Sequence, residues 1–179
     1  MAMSDLQRRR ALIADGYFLF LDPLKPAHIQ SKVIAEFAED ARLVRGLRVN
    51  QQLQIPVAIC ISKIDLLATR PEDEDSGDTV HRFYNELKAI DPTGMAIRRD
   101  LIDARSRLTA DLSRSVWRNW ELERLMRELF GDRFKFFPLT PVGLNGTNNS
   151  PSPKSFVDPF GILEPLLWLL QMNGYHVIK

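Results

Sequence analysis

The chain has 179 residues, 45% hydrophobic and 26% charged, which is typical of a globular protein and excludes disordered, collagen-like and membrane-protein compositions. A chain of this length fits one domain with a substantial core. Its 24 Lys and Arg residues balance 23 Asp and Glu residues, so a formal charge of +1 argues against nucleic acid or anionic lipid as a bulk partner.

The first part of the chain alternates strand and helix patterns. Tyr17 to Leu21 is an apolar run between turn residues, which predicts a strand buried on both faces. Pro26 suits the first turn of a helix. The apolar residues that then recur at helical spacing are Ile29, Val33, Phe37, Ala41 and Val44. Leu53 to Ile61 predicts a second strand, and a crossover of this length favours parallel, right-handed pairing.

A helical pattern dominates the middle of the chain. A polar, acidic loop is expected from Arg70 to Asp78, followed by a helix over Thr79 to Ile90. The apolar stripe from Ile97 to Leu129 predicts two helices, or one helix kinked near Trp117. The aromatic side chains expected to pack in the core or between helices are Trp117, Trp120, Trp168, Phe130, Phe136 and Phe137.

The last part of the chain predicts a third strand and a closing helix. Phe134 to Leu139 is the strand candidate, and Pro138 within it favours an edge position because proline gives up one ladder hydrogen bond. A loop rich in Asn, Gly, Ser and Pro precedes an apolar helix over Phe160 to Met172. Together, the predicted strands and helices indicate an α/β fold, a three-layer sandwich in which helices flank a small, mainly parallel sheet.

One short motif points to chemistry. The second strand runs directly into Ser62-Lys63-Ile64-Asp65, at the carboxyl end of a parallel strand, where ligands bind in open α/β sheets. The Asp65 carboxylate can accept hydrogen bonds from the N1–H and N2–H2 groups of guanine, and adenine offers no matching pair of donors. The aliphatic stem of Lys63 can cover the flat face of a purine while its ammonium group stays solvated.

These residues resemble the [Asn/Thr/Ser]-Lys-x-Asp motif of Ras-like, translation-factor-related GTPases. The segment Phe136 to Gly143 is similar to the final strand of that family and the loop after it, and Asp15 to Asp22 resembles the strand that follows the switch regions. GTPase-like domains of large bacterial proteins contain strings similar to Gly16–Pro23 and Phe136–Leu144. The resemblance spans nearly the whole chain and implies the C-terminal half of a P-loop GTPase domain, one partial domain over residues 1–179.

The resemblance also implies a set of contacts to the base. Thr140 and Val142 are expected to support Lys63 and Asp65, with Ser62 beside them. The chain departs from the family at Pro141, where the family's alanine donates a backbone N–H to the guanine O6; proline has none, so Val142 is expected to donate instead.

The groups that bind phosphate in this family are absent from the sequence. It contains no Gly-x-x-x-x-Gly-Lys-[Ser/Thr] string, and no Asp-x-x-Gly segment stands where it would contact magnesium. These groups supply most of the catalysis in phosphoryl transfer, so we expect no catalytic residues and no GTP hydrolysis by this chain alone. GTP or GDP is the expected ligand, with magnesium only if the missing half is supplied. A truncated gene product, a remnant and a half-domain completed by another segment are all left open.

The remaining expectations concern location and partners. Cys60 is expected to be a small buried hydrophobe, and His28, His81 and His176 lack metal-ligand spacing, so no metal site is expected. Short apolar runs and the lack of a signal-peptide pattern favour a cytoplasmic protein without a membrane span. A protein partner or the missing N-terminal half is expected to cover an exposed sheet edge at Tyr17 to Leu21. The rival hypothesis is a degenerate GTPase fold that serves as a protein-interaction or scaffold module.

Overall fold

The computed structural model describes residues 5–64, 82–83, 85–87, 89–90, 98–115, 120–140 and 161–177. Its helices and strands, in chain order, are α1 (Asp5–Leu12), β1 (Tyr17–Leu21), α2 (Ala27–Val44), β2 (Val57–Ile61), α3 (Arg99–Ser115), α4 (Trp120–Phe130), β3 (Phe134–Pro138) and α5 (Glu164–Met172). Residues 82–83, 85–87 and 89–90, inside the predicted helix over 79–90, are helical as well.

The strands form one parallel sheet in the order β1-β2-β3. The register aligns Leu21 with Ile61 and Ile61 with Pro138, so the carboxyl ends of all three strands lie at the same end of the sheet. The α/β class and the parallel pairing are therefore confirmed, and among the described strands the one that contains Pro138 lies at an edge, as predicted.

The second strand is shorter than predicted. Leu53 and Ile55 are buried, but they precede the paired segment, and the Leu53 N–H donates to the Leu129 carbonyl at 2.8 Å. Their apolar character reflects packing at the amino end of the sheet. Hydrophobicity alone does not separate such packing residues from a strand.

The two faces of the sheet carry separate core clusters. On one face, β-strand residues such as Ile59 and Phe136 pack with α2 and α4, where Ala38, Met126 and Phe130 are fully buried. On the opposite face, the strand residues Ala58, Cys60 and Phe137 pack with Ile102 of α3 and with Trp168 and Leu169 of α5. Burial raises the pKa of the Cys60 thiol to about 12, which agrees with its expected role as a buried hydrophobe.

The edge of the sheet at β3 is covered by α3. The Ser106 hydroxyl accepts a hydrogen bond from the backbone N–H of Phe136 at 2.9 Å, in place of a further strand. The Lys135 ammonium lies 2.9 Å from the Asp103 carboxylate of the same helix. This edge is thus protected against pairing with another strand.

The opposite edge, at β1, is bare in the described part of the chain, and the prediction that β1 is buried on both faces is wrong. Phe18 and Phe20 are 40% and 66% exposed, because α5 covers β2 rather than β1 and no described strand pairs beyond β1. Tyr17 and Leu21, whose side chains alternate to the other face, are buried against α2.

Helix α2 begins at Ala27, so Pro26, predicted to lie in the first turn, is its N-cap. The buried face of the helix differs from the predicted stripe. Ile34, Ala38 and Ala41 are buried, whereas Ile29 and Val33 are more than half exposed. The helix carries apolar residues on two adjacent faces, and only one of them reaches the sheet. The other faces the open side of β1.

The remaining predicted helices are present with small changes. The long stripe forms two helices, α3 and α4, and residues 116–119 between them lie outside the described part of the chain. Trp168 and the three phenylalanines of the predicted core are buried, but Trp120 is 67% exposed, because it stands at the first turn of α4. Helix α1 was not predicted, because its polar sequence carries no apolar stripe.

Candidate functional site

Polar side chains follow each of the three strands at the carboxyl end of the sheet. Asp22 directly follows β1, Ser62 and Lys63 directly follow β2, and Thr140 lies two residues beyond β3. Because the strand ends are aligned and adjacent strands in a sheet lie about 4.8 Å apart, these residues lie beside one another. The predicted motif therefore begins on the central strand of the three.

Ser62 anchors the start of the motif to the neighbouring strand. Its backbone N–H and its hydroxyl both donate to the Leu21 carbonyl, each at 2.9 Å. The first contact continues the parallel ladder, and the second reinforces it. Ser62 thus fixes the end of β2 against the end of β1.

Lys63 adopts an unusual backbone conformation. Its φ of 55° makes it the one non-glycine residue with positive φ in the described ranges. Left-handed geometry costs a residue with a Cβ roughly 1–2 kcal/mol, and such positions cluster at ligand sites and switches. The turn directs the Lys63 side chain toward β1, where its ammonium group lies 2.8 Å from the Asp22 carboxylate.

Asp22 is itself held in place by the turn into α2. Its backbone N–H donates to the Gln30 side-chain oxygen, and the Gln30 amide donates to the Asp22 carbonyl, both at 2.8 Å. One carboxylate oxygen accepts from the Leu24 N–H at 3.1 Å, so Asp22 caps the turn that leads into α2. The other oxygen bonds Lys63.

The charges around Asp22 favour its ionised form. The hydrogen bond from Lys63 lowers the pKa of the Asp22 carboxyl most, with smaller contributions from the Leu24 N–H and the Lys25 charge, and desolvation opposes them. Because the pKa is lowered in the folded state, the resulting stabilisation is present above the ordinary aspartate value. It is lost as the pH falls through the lowered pKa.

The third strand contributes a buried hydroxyl. Thr140 is 1% exposed, and the preceding Leu139 N–H donates to the Ile61 carbonyl at 2.8 Å, which extends the pairing of β2 and β3 to this point. Gly161, which leads into α5, lies against the carbonyl of Pro138 with φ +75°. Gly161 therefore packs closely against the end of β3.

The structure places three of the five predicted base-contacting residues. Ser62, Lys63 and Thr140 stand at the ends of neighbouring strands, whereas Asp65 and Val142 lie outside the described residues, as does Pro141. Ile64, the last residue placed before Asp65, is 1% exposed and packs in the core. The link between Asp22 and Lys63 was not predicted. The position of Asp22 at the end of the adjacent strand is the signal that could have indicated it.

Two kinds of feature are absent from the described residues. No cluster of three or more His, Cys, Asp or Glu side chains there could hold a metal ion. No helix placed by the structure has the length and apolar character needed to cross a bilayer.

Comparisons with known proteins were made at the level of families, curated sequences and solved structures. None of the three finds a match. The proposals below therefore depend on the residues and geometry of this chain.

Proposed function

We propose that this chain is a guanine-nucleotide-binding-type domain, similar to the C-terminal half of a Ras-like P-loop GTPase domain. In this proposal Lys63 and Asp65 recognise the base, and Ser62, Thr140 and Val142 support it. One observation carries the proposal. The motif leaves the central strand of a parallel sheet at its carboxyl end, beside a buried threonine hydroxyl on the next strand.

The proposed chemistry is base discrimination by a carboxylate. Asp65 accepts two hydrogen bonds from guanine, whereas adenine would leave the carboxylate without donors. Hydrogen bonds to charged groups contribute about 1.5–3 kcal/mol each. The Lys63 side chain is 48% exposed, and its aliphatic stem supplies an apolar surface for the purine ring.

The same chemistry sets the strength of binding that we expect. Two such hydrogen bonds and one stacking surface support a Kd of about 1 mM, equivalent to about −4 kcal/mol. The sequence contains no phosphate-binding loop, so the triphosphate adds little and hydrolysis is not expected of this chain. Groups for phosphate and magnesium would have to come from another segment.

The edge of β1, where no described strand pairs, supports such a partner. The Tyr17 N–H donates to the Pro56 carbonyl, and the Leu21 carbonyl accepts from Ser62, so alternation directs the backbone groups of Phe18 and Phe20 away from β2. A groove of about 410 Å³ beside this edge is lined by these phenylalanines and by Ile29 and Val33 of α2. Strands of parallel sheets are normally covered on both faces, so the exposed face of β1 is a place where such a partner would pack.

This edge also favours the second candidate function, a protein-interaction or scaffold module without nucleotide. The same apolar edge and groove would serve that role with no contribution from the motif. The two candidates therefore differ at Asp65. Only the nucleotide proposal requires its carboxylate.

A ligand-observed NMR titration of the full chain with GMP and AMP tests the proposal, because it detects millimolar affinity. We expect saturable binding of GMP with a Kd of about 1 mM and at least about tenfold weaker binding of AMP. Asp65→Ala should abolish the preference, because it removes the acceptor for both guanine donors.

Asp15→Ala is the matched control, since Asp15 is exposed and far from the motif in sequence, and it should bind GMP like the unmodified chain. Equal binding of GMP and AMP, or an unchanged preference in Asp65→Ala, would contradict the proposal. An absence of saturable binding would favour the interaction module.

A further inference from the structure

The contact between Asp22 and Lys63 joins the ends of two strands through side chains 41 residues apart in sequence. It is the only contact between charged side chains of those two strand ends in the described residues, and it uses the residue with the unusual backbone turn. With extended geometry instead of φ 55°, Lys63 would alternate to the other side of the strand end. The left-handed turn and the ion pair therefore belong to one arrangement.

The carboxylate that receives the ammonium group is held more firmly than the ammonium itself. Gln30 bonds both backbone polar groups of Asp22, and the Leu24 N–H bonds its second oxygen. The Asp22 side chain is 18% exposed, whereas that of Lys63 is 48% exposed. Asp22 therefore holds Lys63 in position, rather than the reverse.

Two cations face the Asp22 carboxylate, Lys63 by direct contact and Lys25 by a longer-range charge interaction. Lys25 belongs to the turn before α2 and is exposed. The side-chain hydrogen bond to Asp22 therefore comes from Lys63, and replacing Asp22 releases the lysine stem.

We propose that Asp22 is a positioning residue for Lys63. It holds the ammonium group at the end of β1, so the aliphatic stem of Lys63 crosses the ends of β1 and β2 as a fixed wall of the base site. This inference rests on the proposed function for its consequence. The lysine side chain then loses its rotamer freedom on folding. Binding of a purine therefore does not carry the entropy cost of ordering it.

The first test measures the position of Lys63 without any ligand. In the full chain, ¹³C relaxation of the Lys63 ε-methylene should show restricted motion, and Asp22→Asn should make it as mobile as an exposed lysine such as Lys32. The Asp22 carboxyl should titrate below its ordinary pKa, and Lys63→Met should raise that pKa. Equal Lys63 mobility in the unmodified chain and in Asp22→Asn would overturn the inference.

The second test measures the consequence for binding, with GMP as the probe. Asp22→Asn should weaken GMP binding by about fivefold to tenfold, the effect of one long side chain that must be ordered on binding. Asp15→Asn, the same chemical change at an exposed position, should leave it unchanged, and Asp22→Glu should recover part of the loss. Asp22→Asn should add nothing in a chain that already carries Lys63→Met.

The two failures are distinguishable. If the unmodified chain binds no GMP, the proposed function fails, and Lys63 mobility still decides whether Asp22 positions the lysine. If the chain binds GMP and Asp22→Asn binds it equally well, the proposed function stands and the positioning role is overturned. Loss of binding in Asp22→Asn with unchanged Lys63 mobility also contradicts the role.

Discussion

Replacing Glu164 with glutamine is expected to lower the free energy of unfolding by about 3–5 kcal/mol, the usual cost of removing one partner of a buried ion pair. Glu164 forms an ion pair with Arg105, and the two side chains are 9% and 2% exposed. The pair joins the first residue of α5 to the middle of α3. Glutamine keeps the shape of the side chain but removes the negative charge that faces the buried guanidinium. Glu164 also lies at a helix N-terminus, where a negative charge is favoured.

Urea denaturation measures this effect, and Glu128→Gln is the matched control. Glu128 pairs with Arg124 on the surface of α4, with both side chains about two-thirds exposed, so its loss should change stability by less than about 0.5 kcal/mol. Equal midpoints for the two variants would contradict the burial of the Arg105–Glu164 pair.

Gly161→Ala is expected to be the second strongly destabilising change, by about 3–5 kcal/mol. Its φ of +75° already disfavours a side chain, and an added Cβ would overlap the carbonyl oxygen of Pro138. Because that carbonyl ends β3, relief of the overlap would displace the backbone next to Thr140. A loss of GMP affinity should therefore accompany the loss of stability.

Gly46→Ala separates the cost of the positive φ from the cost of the steric overlap. Gly46 has a similar φ of +67°, but nothing lies within 4 Å of the added Cβ. The Gly46→Ala variant should lose only the free energy that positive φ costs a residue with a Cβ, about 1 kcal/mol. Thermal or urea unfolding compares the two variants, and similar losses would mean that the approach of Gly161 to β3 is not tight.

Much of the fold could be predicted from hydrophobic patterning. Strand β1 was predicted to the residue and the start of α2 to within one residue, because turn residues mark their limits. An exposed edge at Tyr17 to Leu21 was expected, but the exposure of the Phe18 and Phe20 side chains was not, because it depends on which helices cover that face of β1. A near-continuous apolar run is typical of a central strand and carries no information about a missing neighbour.

The site could be predicted only in part. The motif Ser62 to Asp65 was identified from its position after a strand, and the structure places its first three residues at the end of the central strand. The pairing of Asp22 with Lys63 depends on the register of β1 against β2 and on the left-handed turn at Lys63, which local sequence does not specify. The roles of Asp65 and Val142 stay predictions.

Backbone amide NMR of the uniformly labelled full chain tests the central claim most directly, because it locates the ligand. Addition of GMP should shift the amide resonances of Ser62, Lys63 and Thr140 at the carboxyl end of the sheet, and AMP at the same concentration should shift them much less. Shifts confined to the groove between β1 and α2, or identical shifts with both nucleotides, would contradict guanine recognition at these strand ends.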